Sequence, residues 1–171
     1  DLVLDNVCRL MQAGCNAIKI EGAEGHLEVI EHVVESGVPV MGHLGLTPQS
    51  VEAFGGHKVQ GKTECSAEKI RKSALALERA GCFALVLECV PQKLADQITK
   101  ELSIPTIGIG AGPHTDGQVL VLQDLLGMQN NFKPRFLRHY LSGEKLLGDA
   151  ISTFNEDVKS SAFPSCEESY R

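Results

Sequence analysis

Basic residues are scarce in this chain. Sixteen lysines and arginines face 22 aspartates and glutamates over 171 residues, a formal net charge of −6. That balance leaves no basic reserve to hold a phosphate backbone, so no nucleic-acid partner is expected. Long hydrophobic runs are missing too. The longest, Phe83 to Leu87, is strand-sized, far short of the roughly 20 residues a membrane helix needs, so no membrane partner is expected. There is no basic leader followed by an apolar stretch and a cleavage site. The chain opens at Asp1 rather than Met, which is read as a piece of a longer protein. The six cysteines, at 8, 15, 65, 82, 89 and 166, form no Cys-x-x-Cys pair. No Cys or His ligands recur at zinc-finger spacing. Hydrophobic residues make up 43%, which excludes global disorder and supplies a core that needs no disulfides. The thiols are therefore expected to stay reduced, in a reducing compartment. Neither a sequence repeat nor a low-complexity segment is present. At about 150 residues per domain, the length predicts a single domain over 1–171.

Five short apolar, mostly β-branched segments predict strands: Ala17–Glu21, Val38–His43, Phe83–Glu88, Pro105–Gly110 and Gln118–Leu122. Helical periodicity lies between most of them. Leu2–Ala13 carries Leu2, Val3, Val7, Leu10 and Met11 on one face, and Leu27–Glu35 repeats this with Leu27, Ile30 and Val34. Ala67–Ala80 does so with Ile70, Ala74, Leu75 and Leu77. Pro91 sits at a favourable first-turn position for the next helix, whose stripe is Leu94, Ile98 and Leu102. Gly14, Gly37 and Gly81 fall just past helix ends, where a left-handed residue is wanted. Residues 132–163 read as two C-terminal helices and 164–171 as a polar tail.

Strand–helix alternation implies parallel strands with helical crossovers. The strand ends at Glu21 and His43 are 22 residues apart, as are those at Glu88 and Gly110, whereas His43 to Glu88 is 45. The excess is the Gly-, Pro- and Gln-rich stretch from Leu44 to about Ser66, and long loops of that kind are usually functional. Five units do not complete an eight-unit barrel of about 250 residues. The pattern alone fits an open doubly wound sheet or a barrel with strands missing.

Side chains alternate along a strand, so Lys19 and Glu21 point the same way. Three successive strands end in Glu21, His43 and Glu88. In parallel α/β folds the ligand crevice lies at the carboxyl ends of the strands. A lysine inside a buried parallel strand is costly unless paired, and Glu21 is its obvious partner. That pair also fits a purely structural role, and His43 fits a satisfied core or loop histidine as well as a ligand contact. Two look-alikes fail on context. Residues 56–63, GHKVQGKT, match the phosphate-loop pattern literally, but no strand feeds straight into them. Residues 108–112, GIGAG, lack the third glycine of a dinucleotide fingerprint, because Pro113 stands there.

Several blocks closely resemble the ketopantoate hydroxymethyltransferase family. They are Ile18–Gly22 (IKIEG), Gly42–Ser50 (GHLGLTPQS), Phe54–Gly61 (FGGHKVQG), Leu85–Pro91 (LVLECVP), Ile107–Gly112 (IGIGAG) and Thr115–Gln118 (TDGQ), in the family's order. The resemblance implies an eight-stranded (β/α) TIM barrel of the phosphoenolpyruvate/pyruvate type, here truncated to about its last five strands. It implies transfer of a hydroxymethyl group from 5,10-methylenetetrahydrofolate to 3-methyl-2-oxobutanoate, giving 2-dehydropantoate for pantothenate synthesis, by a homo-oligomer that uses Mg²⁺ to stabilise an enolate. Carried over by motif, Glu88 is the base and Glu21 belongs to the metal site, directly or through water. Lys19 holds the substrate's negative oxygens, and His43 approaches substrate or folate. The family's first three strands, with an Asp-Ser pair and a further Asp, have no match here, and the expectation is that this piece alone does not turn over. A 2-oxo-acid lyase of the same superfamily and a non-catalytic fragment are the alternatives. Bacterial members imply a cytoplasmic location, plant and fungal ones a mitochondrial one.

Overall fold

The structure, a computed structural model, describes residues 2–53, 55–129 and 133–170. Phe54 of the FGG block, Phe132 at the start of the expected C-terminal helices and Arg171 of the tail lie outside the described residues. The chain parses into two compact units, one running to Val119 and one starting at Leu120.

The first unit is a five-stranded parallel sheet with helices between most strands. Its strands are β1 (Ile18–Glu21), β2 (Val40–Gly45), β3 (Ala84–Glu88), β4 (Thr106–Ile109) and β5 (Gly117–Gln118). They are hydrogen-bonded in sequence order, β1-β2-β3-β4-β5, every pair parallel. The order contains no reversal, which is where an open doubly wound sheet places its crevice. Helices α1 (Leu2–Gln12), α2 (Leu27–Glu35), α3 (Glu64–Arg79) and α4 (Gln92–Glu101) complete the unit.

Alternation sorts the sheet into two faces. Val40, Leu44, Leu85 and Leu87 join Ile30, Val33, Leu77 and Ile98 of the helices in one buried core. At about 1.5–3 kcal/mol for each fully buried aliphatic side chain, this layer dominates the unit's stability. Gly42 belongs to the same face, where a Cβ would come within 2.9 Å of Leu77 Cδ1. The opposite face carries Lys19 and Glu21, paired in register with Met41 and His43, and His43 is paired with Val86. Glu88, two residues beyond Val86, shares that face.

Several expectations are corrected in detail. The apolar face of α1 is Leu4, Val7 and Met11, because Leu2, Val3 and Leu10 stay exposed. Strand β2 runs two residues past His43, so the imidazole lies inside the strand. Helix α3 starts at Glu64, because Thr63 and Ser66 form a reciprocal capping box. Pro91 is the N-cap of α4 rather than its first turn, with an extended ψ of 136°. The fifth strand is only Gly117–Gln118, and Val119, Val121 and Leu122 are exposed. It follows β4 after 110–116 without a helix. Asp116 anchors this short return by accepting hydrogen bonds from Thr106 N and Thr106 Oγ1 at 2.8 and 3.0 Å.

The second unit holds a short helix, α5 (Leu122–Leu125), and one long helix, α6 (Gly143–Lys159). Two helices were expected over 132–163. Residues 133–142 are not helical; near the start of α6 the backbone instead hydrogen-bonds to the end of α5, Tyr140 N donating to Leu125 O and Gly143 N to Leu126 O.

Candidate active site

The carboxyl ends of β1, β2 and β3 bring Lys19, Glu21, His43 and Glu88 into one cluster. His43 is its centre, and its side chain is only 1% exposed. Nδ1 lies 3.2 Å from Lys19 Nζ and 3.8 Å from Glu21 Oε1. On the other side of the ring, Nε2 lies 3.1 Å from Glu88 Oε2. That approach is a close contact rather than an aligned hydrogen bond, and Nε2 has no hydrogen-bond partner among the described residues. Lys19 Nζ is 4.0 Å from Glu21 Oε1. The carboxylates of Glu21 and Glu88 thus bracket one imidazole, 12% and 18% exposed, while the Lys19 side chain is 46% exposed. The arrangement places two acceptors and one cation where a small anionic molecule can reach the outer atoms, with the imidazole sealed beneath. His43, expected at the substrate, is the most enclosed of the four.

The loop after β2 fastens the Glu21 carboxylate and the Glu88 backbone. Thr47 and Pro48 open a 3-10 turn over Pro48–Ser50, whose Gln49 N donates to Glu21 Oε2 at 3.0 Å. Leu46 N donates to the Glu88 carbonyl at 2.8 Å. Gly45 makes that approach feasible: its φ is +95°, and a Cβ there would collide with the Glu88 carbonyl oxygen. From the far side, Cys89 N donates to Ile109 O and Gln60 N to Cys89 O. Cys89 itself has φ 49°, a left-handed conformation that costs a side-chain-bearing residue free energy. The peptide carrying Glu88 is therefore clamped by β2, by the loop and by β4. Sequence reasoning missed these supports because they act through backbone N–H groups, which no side-chain type advertises. The signal available was Thr47-Pro48 as a turn opening.

The surroundings of Cys89 disfavour its thiolate. Burial pushes its pKa up, and the Glu88 charge pushes it further the same way. A cavity of about 440 Å³ adjoins Glu21, lined among others by Thr47, Ser50, Gln60 and Ser73. In the phosphate-loop look-alike, Thr63 Oγ1 accepts from Ser66 N and caps α3. In the glycine run, a Cβ at Gly108 would come within 2.5 Å of Thr115 Oγ1, so the run makes room for the TDGQ segment.

The profile of ketopantoate hydroxymethyltransferase matches residues 2–166. The chain belongs to the ketopantoate hydroxymethyltransferase family. It is 52% identical over 170 residues to the 3-methyl-2-oxobutanoate hydroxymethyltransferase of Francisella tularensis subsp. novicida (strain U112), covering 99% of this chain and 64% of that protein. It is 58% identical over 165 residues to the enzyme of the same name from Coxiella burnetii (strain CbuG_Q212), covering 96% of this chain and 62% of the relative. The chain thus spans less than two thirds of these relatives. Magnesium does not fit this part of a ketopantoate hydroxymethyltransferase by itself. Among the described residues, no group of three or more His, Cys, Asp or Glu is placed to hold a metal ion. Glu21 offers a hard oxygen donor, but one of its oxygens already accepts from Gln49 N.

Proposed function

We propose that this chain supplies the proton-abstracting side of a 3-methyl-2-oxobutanoate hydroxymethyltransferase. The observation that carries the reading is the cluster itself. Two carboxylates and a lysine meet around one buried imidazole, at the strand ends where parallel α/β folds bind ligands. The relatives' shared name supports it.

In this reading the substrate is 3-methyl-2-oxobutanoate and the one-carbon donor is 5,10-methylenetetrahydrofolate. The proton on C3 is weakly acidic because the carbon adjoins a ketone. Glu88 accepts that proton, and the electron pair of the C–H bond moves toward the carbonyl oxygen. Lys19, the most exposed of the four, balances the negative oxygens of the oxo acid. The methylene carbon is released from the two folate nitrogens with water supplying its hydroxyl oxygen, the new carbon–carbon bond forms at C3, and 2-dehydropantoate and tetrahydrofolate are the products. Glu21 is held in place by Gln49 N at the edge of the same crevice. A magnesium ion in the whole protein would draw most of its donors from outside the residues described here, and the chemistry assigned to this chain runs through its side chains alone.

The closed (β/α)8 barrel is part of the same proposal. Its support is the unreversed strand order and a groove of about 390 Å³ along the edge strand β1, lined by Val3, Val7, Leu10 and Ile18 and also by Asn6 and His26. A further parallel strand has room to pair there. Assembly into a homo-oligomer is proposed on the exposed stripe Leu147, Ile151, Phe154 and Val158 of α6. The test is product formation by the intact protein, by its Glu88→Gln variant and by residues 1–171 alone. The expected result is 2-dehydropantoate from the intact protein, a loss of about 10²–10⁴-fold in the variant, and none from the 171-residue chain. An undiminished Glu88→Gln variant contradicts the proposal.

A further inference from the structure

We infer that Lys19 sets the tautomer of His43, and that His43 in turn acts as the positioning residue of Glu88. The inference rests on the reading of Glu88 as the base. Lys19 Nζ lies 3.2 Å from His43 Nδ1. An ammonium group has three donors and no acceptor, so the only bond available across that gap runs from Lys19 to a bare Nδ1 lone pair. A proton on Nδ1 would set two donors face to face. Glu21 Oε1, at 3.8 Å, is too far to accept such a proton in a hydrogen bond. The neutral ring therefore carries its hydrogen on Nε2.

That Nε2–H is buried and has no aligned partner. A carboxylate oxygen of Glu88 stands 3.1 Å away, off the N–H direction. A buried donor left unmatched is costly, so the ring draws the Glu88 carboxylate toward itself. A small rotation of Glu88 brings Oε2 onto the N–H, leaving the other oxygen turned to the crevice. The backbone clamp on residues 88 and 89 leaves the side-chain torsions as the freedom still to be restricted. The ring restricts them. No proton need leave the imidazole, and Lys19 keeps two donors for the anionic substrate.

The test has two arms, both on the intact protein. Solid-state ¹⁵N spectra of the histidine-labelled protein, with His43 assigned by its loss in His43→Gln, are expected to show a bare, pyridine-type Nδ1 and a protonated Nε2. In Lys19→Met the Nδ1-protonated form is expected to appear. A protonated Nδ1 in the wild type, or an unchanged tautomer in Lys19→Met, overturns the inference. The second arm measures exchange of the C3 proton. The amide of glutamine can accept from Lys19 and donate to Glu88, whereas leucine only fills space. His43→Leu is expected to fall about 100-fold below His43→Gln in kcat with KM unchanged. A leucine variant as fast as the glutamine variant means that His43 only packs, and overturns the inference. If Glu88→Gln exchanges at the wild-type rate, the reading of Glu88 as base fails, whatever the spectra show.

Discussion

At Gly45 the chain turns with φ +95°, and a methyl group would meet the Glu88 carbonyl oxygen and lie 2.8 Å from Val90 Cγ1. Neither obstacle is the end of a flexible chain, so the backbone must move. Gly45→Ala is expected to lower stability by about 1–3 kcal/mol in denaturant unfolding, and in the intact protein to lower kcat more than it raises KM. Cys89, at φ 49°, gives the opposite sign. Relief of a left-handed backbone is worth about 1–2 kcal/mol, offset by about 0.4–1 kcal/mol for a looser unfolded chain. Cys89→Gly should therefore be neutral to slightly stabilising, and Cys89→Val destabilising. A destabilised glycine variant contradicts the strain assigned to this turn. These two residues also mark what could be read beforehand. The charges at 19, 21 and 88 stand out because a charge in a strand expected to be buried demands a reason, although Lys19 is in fact exposed. A glycine and a cysteine that shape a peptide plane do not stand out.

Element boundaries follow the same division. The Leu27–Glu35 helix was legible to the residue because its apolar spacing and the following Gly37 agree. Helix α3 was placed three residues late, because its capping box uses serine rather than an acidic or amide side chain at the third position. The fifth strand was overextended: Val119–Leu122 looks like a strand in one dimension but packs as an exposed exit from the sheet. Thr63→Ala tests the cap. Loss of its hydrogen bond to Ser66 N is expected to cost about 0.5–2 kcal/mol in urea unfolding. Asp116 tests the β4–β5 return. The backbone and hydroxyl donors of Thr106 hold its carboxyl below the usual value of 3.8. A carboxyl that titrates lower when folded contributes stability above its unfolded pKa and loses it as pH falls through the folded one. Asp116→Asn should be the less stable protein near neutrality, with the gap to wild type closing below about pH 4. A gap that stays constant down to acid contradicts this role.

On the scale of the whole molecule, the sheet has a free edge at β1 with apolar side chains beside it, and α6 exposes an apolar stripe. Exposed strand edges and apolar patches seek partners. The isolated 171-residue chain is therefore expected to show scattering mass rising with concentration, and a monodisperse monomer at all concentrations contradicts that expectation. In the proposed reading one carboxylate, at the tip of β3, takes the proton from the carbon beside the ketone. Its most direct measurement is deuterium exchange at C3 of 3-methyl-2-oxobutanoate by the intact protein, followed by NMR with no one-carbon donor present. Exchange is expected in the wild type, with a loss of about 10²–10⁴-fold in Glu88→Gln. Equal exchange by the two proteins would contradict that reading.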